Sequence, residues 1–176
     1  MHTPFTNVLI MNMAMIYDVR ENCVLLQDRK KRYFGGAFPG GHFEAGESVY
    51  GSCVREIFEE TGLEVTSLVP CGFAHWNKKE GTQEFIYFYR TGSFSGELIQ
   101  SDEGTNRWVK LEELKSQNLA GWFKDQLPIF FTNTFTELTY VYDTKNDKYI
   151  KKFFGAGNMP SIDKLPSFLT FNEQQH

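Results

Sequence analysis

Gly41-His42-Phe43-Glu44-Ala45-Gly46-Glu47 and, seven residues later, Arg55-Glu56-Ile57-Phe58-Glu59-Glu60-Thr61-Gly62-Leu63 decide how this chain is read. Glu56 and Glu60 are four apart and Glu59 is three from Glu56, so in a helix their carboxylates share one face. Like charges at that spacing oppose helix formation by roughly 0.2–0.5 kcal/mol per pair. A solvated acidic face is one reading of such a helix. The other is a seat for a hard cation, since clustered carboxylate oxygens suit Mg²⁺ or Mn²⁺. On the opposite face Val49, Cys53 and Ile57, with Val54 and Phe58 less regularly placed, form an apolar stripe of helical period. Ser48 is a natural cap for the start, and Gly62 suits the left-handed residue just past the end. The pattern predicts a helix over Ser48–Thr61 that packs one face and offers the other.

The two runs resemble the Nudix box, Gly-x5-Glu-x7-Arg-Glu-U-x-Glu-Glu-x-Gly-U, where U is bulky and aliphatic. All nine constrained positions match: Gly41, Glu47, Arg55, Glu56, Ile57, Glu59, Glu60, Gly62 and Leu63. The resemblance covers 23 of the 176 residues. It implies an α/β (α+β) fold, the Nudix α/β/α sandwich with a mixed sheet, and a hydrolase that cleaves a nucleoside diphosphate linked to another group with the help of Mg²⁺ (or Mn²⁺).

Composition fits a packed globule. Aromatic residues make up 16% of the chain and hydrophobic residues 41%, which favours a packed core over disorder. The net charge of -4 argues against general nucleic-acid binding. Cys23, Cys53 and Cys71 lack a C-x-x-C pair, so neither a disulfide framework nor a zinc site is expected, and a cytoplasmic location is. Val8–Tyr17 is too short to span a bilayer and has no Lys or Arg before it; it reads as a buried strand with Met11, Met13 and Met15 on one side.

Further strands are predicted at Cys23–Asp28, Glu64–Ala74, Glu84–Thr91 and Trp108–Lys110. Helices are predicted at Leu111–Gln117 and Gly121–Thr132, the latter shortened or kinked by Pro128. Phe135–Tyr142 and Lys148–Phe154 form a hairpin across Asp143–Asp147. The expected domain covers residues 1–155, with the hairpin from 135 added to it. Residues 156–176, rich in Gly, Asn, Pro, Ser and Gln, read as an extended or partly disordered tail. The hairpin also offers an edge for a possible homodimer.

By resemblance, Glu56, Glu59 and Glu60 hold the metal with the backbone carbonyl of Gly41. Arg55 orients Glu59 or Glu60, and Glu47 either fixes the loop against the helix start or stands in the outer shell of the metal. The base that activates water is either Glu56 or Glu103. The latter lies in Ser101-Asp102-Glu103-Gly104 ahead of Trp108, where the MutT-type subfamily carries Glu-Gly before a Trp. Asp-Glu-Gly is also ordinary turn chemistry. Arg29 stands where MutT-like members keep a phosphate-binding arginine, and Phe38, Trp76 and Asn77 are candidates to meet the base. The proline typical of ADP-ribose-cleaving members, the tyrosine of dinucleoside-polyphosphate members and the NADH-type tail are missing. These absences point to a MutT-like nucleoside triphosphate pyrophosphohydrolase, with oxidised purines such as 8-oxo-dGTP as substrates. ADP-ribose or nucleotide-sugar cleavage, and a non-cleaving nucleotide sensor, are the alternatives.

Overall fold

The computed structural model describes residues 7–30 and 34–155. Lys31 and Arg32, which follow Arg29 and Lys30 in a basic stretch, and the whole tail from 156 lie outside the described residues.

Among the described residues, ten strands and two α-helices follow one another in the order β1 (Asn7–Asp18), β2 (Cys23–Arg29), β3 (Gly35–Ala37), α1 (Val49–Thr61), β4 (Glu64–Thr66), β5 (Val69–Asn77), β6 (Thr82–Thr91), β7 (Ser93–Ser95), β8 (Gly104–Lys110), α2 (Gly121–Gln126), β9 (Thr136–Asp143) and β10 (Lys148–Phe154). Eight strands form one mixed sheet in the order β10-β9-β5-β6-β1-β2-β3, with β8 on β2; β4 and β7 pair apart from it. The β1–β6 and β5–β9 pairs are parallel and the other pairs in the sheet antiparallel.

Alternation along β1 builds two cores. Met13, Met15 and Tyr17 face one side, where they meet Phe123, Phe130 and Phe131 from α2 and the 3₁₀ turn after it. Ala14 and Ile16 face the other, against Cys53 and Ile57 of α1. The result is a sheet between helices, as the box predicts. All three cysteines are buried and unpaired with one another.

Several predicted elements take different bounds for local reasons. The strand expected over Glu64–Ala74 is two, broken where Ser67 adopts a left-handed backbone with φ 53°. Leu111–Ser116 is a 3₁₀ helix, and the helix expected to reach Thr132 stops at Gln126. A 3₁₀ turn over Leu127–Phe131 takes over there, with Pro128, which has no N–H to give, in its first turn. β9 does more than add a hairpin, because it extends the main sheet through its parallel pairing with β5. β3 was not foreseen. Its Gly35, at φ 115°, lies where a Cβ would stand 2.6 Å from the backbone nitrogen of Ala120.

Candidate active site

β1 and β2 pair only at Tyr17↔Val24 and Asp18↔Cys23, and then diverge. The loop before α1 takes up the vacated edge of β1. Ala14 N–H donates to Pro39 O (3.0 Å), Asn12 N–H to Gly41 O (2.9 Å) and Phe43 N–H to Ile10 O (3.0 Å). Gly40, at φ 147°, is required there, since a Cβ would lie 2.4 Å from Asn12 O. Helix α1 leaves this loop with the Ser48 hydroxyl accepting from Gly51 N–H at 2.9 Å, and ends on Gly62 at φ 74°. Both caps agree with the sequence reading. Cys53 and Ile57 are fully buried, whereas Phe58 points outward and is exposed.

Arg55 organises the acids. Its Nε and Nη2 grip the two oxygens of Glu47 at 2.7 and 3.0 Å, a bidentate pair. Nη1 reaches Glu56 Oε1 at 3.1 Å and Glu59 Oε2 at 3.0 Å, while Nη2 also donates to His42 O at 3.0 Å. The acids Arg55 orients are thus Glu47, Glu56 and Glu59, and Glu60 is held from the loop instead. The arginine bond pulls the Glu47 carboxyl below its ordinary pKa, and the carboxylates raise that of Arg55. Glu47 Oε2 further accepts from Glu44 N–H at 3.1 Å, so this residue closes the loop on the helix.

Glu56 and Glu60 are fixed from the loop side. His42 N–H donates to Glu56 Oε1 at 3.0 Å, and Gly40 N–H to Glu60 Oε2 at 2.8 Å. Gly41 lets Glu56 come this close: a Cβ there would fall 2.3–2.6 Å from its carboxylate atoms. Glu60 is only 5% exposed. Burial pushes its carboxyl up to about 7, opposed by the Gly40 N–H and the positive charge of Arg29 and reinforced by the negative charges of Glu56 and Glu103. Arg29 and Glu103 are therefore within electrostatic reach of the box acids, although they lie 31 and 43 residues from Glu60 in the chain; the backbone joins them, with Arg29 opposite Gly104 and Lys30 N–H donating to Glu103 O at 3.0 Å.

Among the described residues, no three His, Cys, Asp or Glu side chains already converge as a closed metal cage. Fit to a hard cation rests on the donors themselves. Glu56 and Glu60 stand one helical turn apart, the carboxyl of Glu60 buried and pushed up in part by the charge of Glu56; Glu59 adjoins Glu60 in the chain, and Gly41 O spends one lone pair on Asn12. All are oxygen donors. The set fits a divalent ion.

The expected base contacts divide. Phe38 is not one: it is fully buried, with ring centroids 4.9 Å from Phe123 and 5.0 Å from Phe130, and belongs to the core. Trp76 and Asn77 are adjacent in β5 and so point to opposite faces. Trp76 stacks on Tyr140 with centroids 4.0 Å apart and lines a cleft of about 340 Å³ with Trp122, Asp125, Tyr149 and Lys151. Asn77 Oδ1 instead accepts from Gln83 Nε2 at 2.8 Å. The two cannot serve one base together.

Sequence reading passed over Asn12 and Asn106. Asn12 Nδ2 donates to Ser52 Oγ at 2.8 Å, tying β1 to α1. Asn106 Nδ2 donates to Glu60 O at 2.6 Å and Ile99 O at 2.9 Å, tying β8 to the end of α1. The available signal was a polar residue inside an otherwise apolar strand row, as Asn12 is between Met11 and Met13.

Gly41→Ala separates site from scaffold. The clash falls on the end of a flexible side chain, so melting temperature should change little, while displacement of Glu56 should weaken Mn²⁺ binding ~10–100-fold. A calorimetric Mn²⁺ titration beside a thermal melt checks both.

The family model described as the NUDIX domain matches residues 10–130, and the chain belongs to that family. It is a Nudix pyrophosphohydrolase of nucleotide-type substrates, in a family whose members generally use divalent cations. The "Uncharacterized Nudix hydrolase YvcI" of Bacillus subtilis is 29% identical over 110 residues, covering 56% of this chain and 70% of that protein. The "Oxidized purine nucleoside triphosphate hydrolase" of Danio rerio is 26% identical over 126 residues, 70% of this chain and 78% of that one. Among solved structures, the MutT protein from Bacillus halodurans superposes with a TM-score of 0.67 at 23% identity, over 83% of this chain and 96% of its own. At that identity the likeness shows the fold. No helix among the described residues is long and apolar enough to cross a membrane.

Proposed function

We propose that this chain hydrolyses a nucleoside triphosphate between the α and β phosphates, releasing a nucleoside monophosphate and pyrophosphate, with oxidised purines as the preferred bases. The observation that carries it is the joining of Arg29 and Glu103 beside Glu60. A cation facing the box acids suits the long phosphate chain of a triphosphate. The Danio rerio relative, named for oxidised purine nucleoside triphosphates, supports the same reading.

Mg²⁺ or Mn²⁺, held by Glu56, Glu59, Glu60 and the Gly41 carbonyl, would supply charge neutralisation for the phosphate oxygens. Glu56 takes the proton of the attacking water as its oxygen adds to phosphorus, and pyrophosphate leaves. Arg55 keeps Glu56 and Glu59 in place. Arg29 binds the phosphates. The enzyme works in the cytoplasm, where its three cysteines stay reduced.

A second reading has one observation in its favour. The "ADP-ribose pyrophosphatase" of Methanocaldococcus jannaschii is 52% identical over 46 residues, which are 25% of this chain and 27% of that protein. A Mg²⁺-dependent screen of nucleoside triphosphates, ADP-ribose and nucleotide sugars, with products identified by mass, decides between them. Pyrophosphate and a monophosphate are expected. Orthophosphate as the sole product, or ADP-ribose preferred over every triphosphate, overturns the proposal.

A further inference from the structure

Gln27 is fully buried on β2, yet neither its Nε2 nor its Oε1 has a hydrogen-bond partner. A buried amide left in that state is costly, and a Met or Leu would fill the same space without the penalty. Its position is informative. β2 alternates, with Leu26 facing the α2 side and Leu25 the α1 side, so Gln27 shares the α1 side with Arg29. It stands opposite Asn106, whose Nδ2 holds the Glu60 carbonyl. Its stem leans over Gly104, where a Cβ would lie 2.5 Å from Gln27 Cγ and 3.0 Å from Cδ. The amide is thus carried toward Arg29 and the Glu103 loop, at the floor of the candidate active site.

Two more buried atoms there lack hydrogen-bond partners, Arg29 Nε and Asn106 Oδ1. Together with Gln27 they make two donors and two acceptors on neighbouring residues of one sheet face. An anion would want donors alone. A balanced set of four matches a water molecule, which accepts two hydrogen bonds and donates two.

We propose that Gln27 is a positioning residue: with Arg29 Nε and Asn106 Oδ1 it fixes an ordered water that braces the end of α1 beneath Glu60, and so holds the metal-binding carboxylate in register. This rests on the metal-binding reading of Glu60 and not on the identity of the substrate. Side chains that hold a ligand from behind commonly control metal affinity by 10–100-fold.

The test uses the full chain and Mn²⁺ alone, so a wrong substrate assignment leaves it intact. Gln27→Met is expected to melt in chelator no lower than the parent and to bind Mn²⁺ about 10-fold more weakly. Gln27→Asn, which keeps the amide on a shorter stem, should recover part of that affinity. Gln126→Met is the control, because Gln126 is equally buried with both amide atoms unpartnered but lies in α2 on the other side of the sheet. Its Mn²⁺ affinity should match the parent. Unchanged Mn²⁺ affinity in Gln27→Met, or an equal loss in Gln126→Met, overturns the proposal. Should Gln27→Met not fold, Gln27→Asn decides: weaker Mn²⁺ binding supports the brace, and parental affinity overturns it.

Discussion

Glu56→Gln is expected to lower turnover by about 10²–10⁴-fold, the usual effect of removing a general base. Glu103→Gln should cost less and leave the Mg²⁺ requirement nearly unchanged. The difference comes from how each is held. Glu56 is clamped by Arg55 Nη1 and His42 N–H on a helix whose other face is locked in the core. Glu103 belongs to a turn tied through its backbone to Lys30 and through Ser101 Oγ, so its carboxylate depends on loop position. Rates for both variants across a Mg²⁺ titration check this. A larger loss for Glu103→Gln at saturating metal would reverse the roles.

Glu60→Gln should lower turnover by at least ~10²-fold, yet make the metal-free protein more stable near neutral pH. Glu60 ionises near 4.5 when unfolded and near 7 in the folded protein. Below the unfolded value it is protonated in both states and costs nothing. As pH rises from there to about 7, the unfolded chain ionises first and folding loses stability, on the order of 3 kcal/mol, with no further loss above that pH. In chelator, the melting temperature of Glu60→Gln should therefore gain on the parent between pH 5 and pH 8. Saturating Mg²⁺ should erase that gain, because a bound cation favours the ionised carboxylate. A gap that ignores pH would mean that Glu60 is not strained by burial.

Much of this arrangement was legible in the residues. The helix was, because Ser48, the apolar row ending in Ile57, and Gly62 are local signals that agree with one another. The joining of Arg29 and Glu103 to the box could be expected only through family likeness, since β2–β8 pairing is set by long-range register that no short pattern announces. Phe38 misled for a related reason. Whether an aromatic in this loop faces out depends on α2, whose Phe123 and the following Phe130 enclose Phe38. Trp76 and Asn77 could not be told apart in advance, because alternation can be counted only once the strand's bounds are known. Gln27 left no mark at all. A glutamine in an apolar strand is ordinary until its neighbours are seen to leave it unpaired.

The two parallel strand pairs also order events in time. β1 cannot find its long neighbour until Thr82–Thr91 has been made, and β5 waits for Thr136–Asp143. The loop carrying Gly40 and Gly41, by contrast, meets β1 after only about thirty residues of chain. During synthesis the acidic helix and its arginine can therefore assemble against β1 while half of the sheet is still missing. Closure over long spans makes the later pairings slow. A chain halted before β9 would hold the box residues but leave β5 as a bare edge, open to pairing with other chains.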